Sequence, residues 1–240
     1  MRPARRCSAI AALAVLAPCA LPLHAADAVP DTLAQRVVAC TVCHGKQGVA
    51  TNHGYFPRIA GKPQGYLYNQ LQNFRAGRRQ NAAMTALIDT LSDSYLMEIA
   101  GYFASLELPY PPPPATAIDG AQFARGRQLV HEGDASGSSG APALPACTRC
   151  HGAAMTGLAP AVPGLLGLPR DYLMAQLGAW RTGERHAAAP DCMGEVARRL
   201  SASDVAAVAG YLSQQPVPQA AGAAASVAQA LPLRCGSVPR

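Results

Sequence analysis

The chain is poor in the side chains that usually fill a protein core. Of its 240 residues, 5% are aromatic, one is tryptophan and 14% are charged. It also lacks a long basic run, which argues against a nucleic-acid-binding surface. No later stretch is long and apolar enough for a transmembrane helix. With so few aromatic side chains a small domain would have a thin core, so we expect another large apolar body to fill it.

The first 25 residues have the pattern of an export signal. Three arginines form a positively charged start, residues 9–23 are mostly apolar, and Ala25 offers a small residue for cleavage. Because the apolar stretch is short and contains two prolines, we predict a cleaved signal peptide at 1–25 rather than a retained anchor. Its removal lowers the formal net charge from +6 to about +3. The expected location is the periplasm, with at most peripheral membrane association.

The remaining chain contains an internal repeat of about a hundred residues. The segment at 56–79 aligns with that at 162–185, and the segment at 84–106 aligns with that at 193–215. A repeat of this length fits a small domain rather than a solenoid unit. We therefore predict two homologous domains, which we call the first and second copy.

A proline-rich linker separates the two copies. Residues 108–118 contain four successive prolines, which cannot continue a helix and favour a semi-rigid extended spacer. The predicted domains are thus 26–107 and 119–240. Apolar residues recur at helical spacing in both, with Ser92 and Ser201 as predicted N-caps of the last helices, and no stretch predicts a strand. The expected fold class is all-α.

Each copy contains one Cys-X-X-Cys-His motif. The two motifs comprise Cys40, Cys43, His44, Cys147, Cys150 and His151. A structural zinc site would need four converging ligands, and a thioredoxin-like dithiol would need a βαβ context that this chain lacks. A c-type haem needs two thiols for the porphyrin vinyl groups and an adjacent imidazole for the iron. The duplicated motif therefore predicts two covalently bound haem c groups, which would also fill the cores.

The second axial ligand decides between electron transfer and chemistry at the iron. Met84 and Met193 occupy equivalent positions of the repeat, in segments expected to be irregular, and are the predicted distal ligands. Met97 and Met174 have no methionine at the matching position, so core packing explains them better. Ligation by histidine and methionine fills both axial sites and favours electron transfer over the binding of oxygen or peroxide.

Two more cysteines, Cys192 and Cys235, lie in the second copy. In an oxidising compartment a spare pair more often forms a structural disulfide than a reactive site. Such a bond would tie the C-terminal segment beside Met193. Two free thiols are the alternative.

The order of these motifs resembles the di-haem cytochrome c4 family of bacterial electron carriers. The resemblance rests on the paired haem motifs, on a proline and glycine before a Tyr-Leu-X-X-Gln-Leu helix, and on a methionine followed by Leu-Ser and Ala-Gly-Tyr. It implies two tandem class I cytochrome c domains, each wrapping one covalent haem, with the haem propionates near the interface. It also implies that Pro57 and Pro163 accept the protons of the proximal imidazoles.

The predicted function is electron transfer by a periplasmic di-haem carrier. It would pass electrons from a quinol-oxidising complex or a dehydrogenase toward a terminal oxidase, without catalytic residues or a small-molecule substrate. One alternative is the cytochrome c subunit of a periplasmic dehydrogenase. Another is a di-haem peroxidase, which would need an open or switchable axial site. A structural zinc protein is the remaining alternative.

Overall fold

The computed structural model describes most of the chain after the leader. The described ranges are 30–51, 55–114, 118–135, 143–219, 222–225 and 230–238. The predicted signal peptide and part of the predicted linker lie outside them, and the domain boundaries stay a prediction. Within these ranges no helix is both long and apolar enough to cross a membrane.

Helices dominate the described residues. Those of the first copy are α1 (Leu33–Arg36), α2 (Val38–His44), α3 (Gln64–Arg75), α4 (Ala82–Ile88) and α5 (Asp93–Ala104), with a 3-10 turn at Lys46–Gly48. Those of the second copy are α6 (Gly120–His131), α7 (Thr148–His151), α8 (Arg170–Thr182), α9 (Cys192–Arg199) and α10 (Ala202–Ser213). The all-α prediction is confirmed.

One short hairpin departs from that prediction. β1 (Gly157–Leu158) pairs antiparallel with β2 (Val162–Pro163) in the second copy. The expectation of no strand is wrong here. Strands of two residues are too short to produce the alternation on which sequence prediction depends.

The two copies of the sequence repeat also pack their helices in a similar way. In the first copy α5 packs against α3, and in the second copy α10 packs against α8 and α6. Gly126 permits the contact between α6 and α10, because a Cβ there would lie 2.2 Å from the carbonyl oxygen of Ala207. Both copies therefore build their core around the last helix.

The last helix of each copy begins at the predicted N-cap and buries the predicted residues. Ser92 accepts a hydrogen bond from the amide of Tyr95, and Ser201 accepts one from the amide of Asp204, so both predicted caps are present. The predicted inner residues of α5 and α10 are all buried: Leu96, Ile99, Ala100, Phe103, Val205, Val208, Ala209 and Leu212. Met97 is 39% exposed, so its prediction as a core residue is wrong. It follows Leu96 directly and falls on the neighbouring face of the helix.

Candidate haem-binding site

A cavity of about 870 Å³ is lined by residues from both copies. Its volume is at the upper end of the range for ligand sites in proteins, about 300–1,000 Å³. Every cysteine, histidine, proline and methionine predicted for the site lines it: Cys40, Cys43, His44, Pro57, Met84, Cys147, Cys150, His151, Pro163, Met193, Cys192 and Cys235. The fold thus brings together residues that the sequence holds in two motifs a hundred residues apart.

The two motif histidines have matching environments. His44 ends α2 and His151 ends α7, and they are 8% and 6% exposed. Nδ1 of His44 lies 2.8 Å from the carbonyl oxygen of Pro57, and Nδ1 of His151 lies 2.8 Å from that of Pro163. A proton on Nδ1 donated to the carbonyl leaves the Nε2 lone pair free for a metal.

Electrostatics favour the neutral form of both imidazoles. Desolvation by burial lowers the pKa of His44 and of His151, and the hydrogen bonds to the proline carbonyls oppose this only in part. The neutral imidazole is the form that binds iron.

The motif thiols are half-buried. Cys40, Cys43, Cys147 and Cys150 are free cysteines in the structure. Burial raises the pKa of Cys40 and Cys150 and raises that of Cys147 to about 12. A redox dithiol or a thiolate metal site needs a lowered thiol pKa. No group of three or more metal-binding side chains comes together among the described residues.

Met84 and Met193 sit at equivalent points on the cavity wall. Met84 lies in the first turn of α4 and Met193 is the second residue of α9, and both are half-buried. Both segments are helical, so the prediction of irregular structure around these methionines is wrong. Each helix begins with a side-chain cap: Asn81 accepts a hydrogen bond from the amide of Met84, and Asp191 accepts one from the amide of Gly194.

Buried cations test whether a haem fits the cavity. Arg58 and Arg185 line it and are each 4% exposed, and neither has a carboxylate partner among the described residues. Nε of Arg185 and Nε1 of Trp180 are buried without a hydrogen-bond partner there. Buried charge is strongly unfavourable unless an anion compensates it. The propionate carboxylates of haem would supply such anions, so the residues present fit the group.

A polar network related by the repeat joins the two copies at this cavity. Gln70 matches Gln176 and Arg79 matches Arg185 in the sequence alignment. Arg79 donates to both glutamine side chains at 3.1 Å, and Arg185 donates to Gln70 at 2.7 Å and also to Gln176. The phenol of Tyr172 accepts a further bond from Arg79 at 2.9 Å. Sequence reasoning missed these residues, although their identity in both copies was a signal.

The C-terminal segment lines part of the cavity. Cys192 and Cys235 form the expected disulfide. The amide of Gly236 donates to the carbonyl of Pro190 at 2.9 Å, and the side-chain amide of Asn69 on α3 donates to the carbonyl of Ser237 at 2.8 Å. We call residues 230–238 the C-terminal strap, since they run from the second copy to the first.

Known proteins with similar sequences are electron-transfer cytochromes. The chain is 34% identical to the thiosulfate dehydrogenase electron acceptor of Thiomonas intermedia, over 93% of this chain and 97% of the relative. It is 33% identical to cytochrome c4 of Pseudomonas aeruginosa, over 74% of this chain and 84% of the relative. No protein-family model matches the chain.

Solved structures give the same picture. Reduced cytochrome c4 from Pseudomonas stutzeri matches with a TM-score of 0.61 and 31% identity, over 75% of this chain and 95% of that chain. A thiosulfate dehydrogenase from Marichromatium purpuratum matches with a TM-score of 0.63 and 34% identity over 74% of this chain. This chain spans 36% of that larger protein.

Proposed function

Because the chain belongs to the di-haem cytochrome c4 family, we propose that it carries electrons in the periplasm from a dehydrogenase or a quinol-oxidising complex toward a terminal oxidase. It is an electron carrier with two covalently bound haem c groups, and it is not a catalytic enzyme. Periplasmic location is supported by the export pattern at 1–25. N-terminal sequencing of the exported protein is expected to show cleavage after this segment.

The proposed attachment uses the residues of the shared cavity. Thioether bonds to the haem vinyl groups are assigned to the two cysteine pairs, and iron ligation on one face to His44 and His151. The opposite face is assigned to Met84 and Met193. When bound, each haem supplies one-electron redox chemistry at its iron. The single observation that carries this proposal is the duplicated pair of buried histidines, each 2.8 Å from a proline carbonyl, on the wall of one cavity.

With a histidine and a methionine as ligands, each haem would have both axial positions filled, which would favour outer-sphere electron transfer. The proline carbonyls would keep the Nδ1 protons in place, which leaves the Nε2 lone pairs free for iron. The capped first turns of α4 and α9 hold the two methionines in place. Iron with both ligands bound would have no open coordination position for peroxide, which is why we prefer a carrier to a di-haem peroxidase.

Methionine substitution tests the ligand assignment. We expect Met84→Ala and Met193→Ala each to remove the methionine-to-iron charge-transfer band of one ferric haem and to lower its potential. Met97→Ala is the matched control, because Met97 is exposed and does not line the cavity. Unchanged bands and potentials in both cavity variants, or peroxide turnover by the wild type, would overturn the assignment.

The preferred electron donor is a thiosulfate dehydrogenase. Support comes from the near full-length similarity to a thiosulfate dehydrogenase electron acceptor. The test mixes the ferric protein with a purified thiosulfate dehydrogenase and thiosulfate and follows haem reduction by absorbance. Fast reduction that needs both enzyme and thiosulfate supports this donor. Reduction only by a quinol-oxidising complex would assign the donor there instead.

A further inference from the structure

A lysine of the first copy reaches the segment that orients the histidine of the second copy. Lys62 is 5% exposed, and its Nζ donates to the carbonyl oxygen of Gly164 at 3.2 Å. Gly164 directly follows Pro163, whose carbonyl lies 2.8 Å from Nδ1 of His151. An ammonium group of one copy is therefore fixed beside the proximal side of the other copy's site.

This ammonium keeps its charge although it is buried. Desolvation by burial, and after it the positive charge of the neighbouring Arg58, lowers the pKa of Lys62 to about 8. The side chain therefore stays mostly protonated at pH 7. The groups that face it are Arg58 and the ring of Tyr110, whose centre lies 5.7 Å from Nζ, and no described carboxylate neutralises it.

The repeat shows that this cation is not part of the common unit. Lys62 aligns with Leu168, and Arg58 aligns with Gly164. The second copy thus has no cation at either position. Contacts shared by both copies, such as the proline carbonyls on the two histidines, would make the two sites alike. Lys62 and Arg58 make them different. Arg58 follows Pro57 in its own copy, whereas Lys62 makes its contact across the interface, in the second copy.

We propose that the Lys62 ammonium is a positioned charge that raises the reduction potential of the haem in the second copy. The inference rests on the proposed function. Ferric iron carries one more positive charge than ferrous iron, so a fixed cation nearby disfavours the ferric form. The effect is strongest where water is excluded, and both Lys62 and His151 are buried.

A redox titration of matched variants tests the proposal. Lys62→Met keeps the length of the side chain and removes the charge and the donor, whereas Lys62→Gln removes the charge and keeps a donor. Lys46→Met is the control, because Lys46 is exposed and lies outside the cavity. We expect both Lys62 variants to shift the second haem toward the ferric form by about tenfold, which is 59 mV for a one-electron couple. Lys46→Met is expected to leave both potentials unchanged.

The result depends on which haem changes its reduction potential. Comparison with Met84→Ala and Met193→Ala identifies which potential belongs to which copy. A shift confined to the first haem, an equal shift of both haems, or a wild-type potential in Lys62→Gln would overturn the role of the charge. The charge-transfer bands are recorded in every variant. Their loss reports a failure of methionine ligation, whereas intact bands with unchanged potentials report a failure of the Lys62 proposal alone.

Discussion

Removal of the disulfide between Cys192 and Cys235 is expected to destabilise the second copy and to release the C-terminal strap. The bond closes a loop of 43 residues. The chain-entropy relation assigns a crosslink over that distance about 4 kcal/mol of unfolding free energy. A small domain has a total of roughly 5–15 kcal/mol. The double variant Cys192→Ser/Cys235→Ser would therefore lose a large fraction of the stability of this copy.

The loss is expected to begin at the methionine of the second copy. Cys192 is the first residue of α9 and directly precedes Met193. The strap also depends on the crosslink, since Gly236 and Ser237 are held by one hydrogen bond each, to Pro190 and to Asn69. Each such bond contributes about 1 kcal/mol, less than the crosslink itself. Without the disulfide, the strap and the start of α9 gain freedom together.

Guanidinium unfolding under non-reducing conditions measures both effects. Far-UV circular dichroism reports the global transition, and the methionine-to-iron band of each ferric haem reports its own copy, because a two-domain haem protein need not unfold in one step. We expect a lower midpoint for the double variant, with the second band lost first. Asn69→Ala is the control, since it removes one strap contact and leaves the crosslink. An unchanged midpoint, or earlier loss of the first band, would refute the reasoning.

Two further predictions concern packing and pH. Gly126→Ala should lower the free energy of unfolding by about 1–3 kcal/mol, because the new methyl group would overlap a carbonyl of α10. Gly178→Ala on α8 is the control, because its new methyl group would meet open space, and it should not lower the melting temperature. Equal melting temperatures of the two variants would contradict the prediction for Gly126→Ala. Although burial opposes it, hydrogen bonding, chiefly from Arg125, lowers the pKa of Asp204. The stabilisation by the Asp204 carboxylate is complete above a pH of about 4 and is lost as the pH falls through the lowered pKa. In Asp204→Asn the free energy of unfolding should therefore depend less on pH in this acid range. The same pH dependence in Asp204→Asn as in the wild type would be evidence against this role of Asp204.

The residues proposed to attach the haem stand out in the sequence because covalent attachment is a local requirement. Two thiols and an imidazole must be delivered by one turn of chain, so Cys40, Cys43 and His44 stand together in the sequence. The distal methionines are not local to that motif. Met84 and Met193 became candidates only because a duplicated chain can be compared with itself.

The interface could not be predicted in the same way. Lys62 and Gly164 are 102 residues apart, and their contact exists only because the copies dock in one particular arrangement. A lone lysine in a sequence is most often an exposed residue. Its burial therefore gives no signal in composition or periodicity. The symmetric pair Arg79 and Arg185 did leave a signal, since both copies retain an arginine at one position of the alignment.

Two departures from the repeat lie on opposite sides of the site in the second copy. Lys62 contacts the segment on the proximal side of the second copy, next to Pro163. The disulfide holds the start of α9 on the side of Met193. The first copy has neither feature at its own histidine or methionine. A duplicated carrier with two identical sites would share an electron equally between them. The first copy departs from the repeat as well, since the buried Arg58 directly follows Pro57 where the second copy has Gly164. Structural differences at both sites remove that equality, so the two haems are expected to have different reduction potentials.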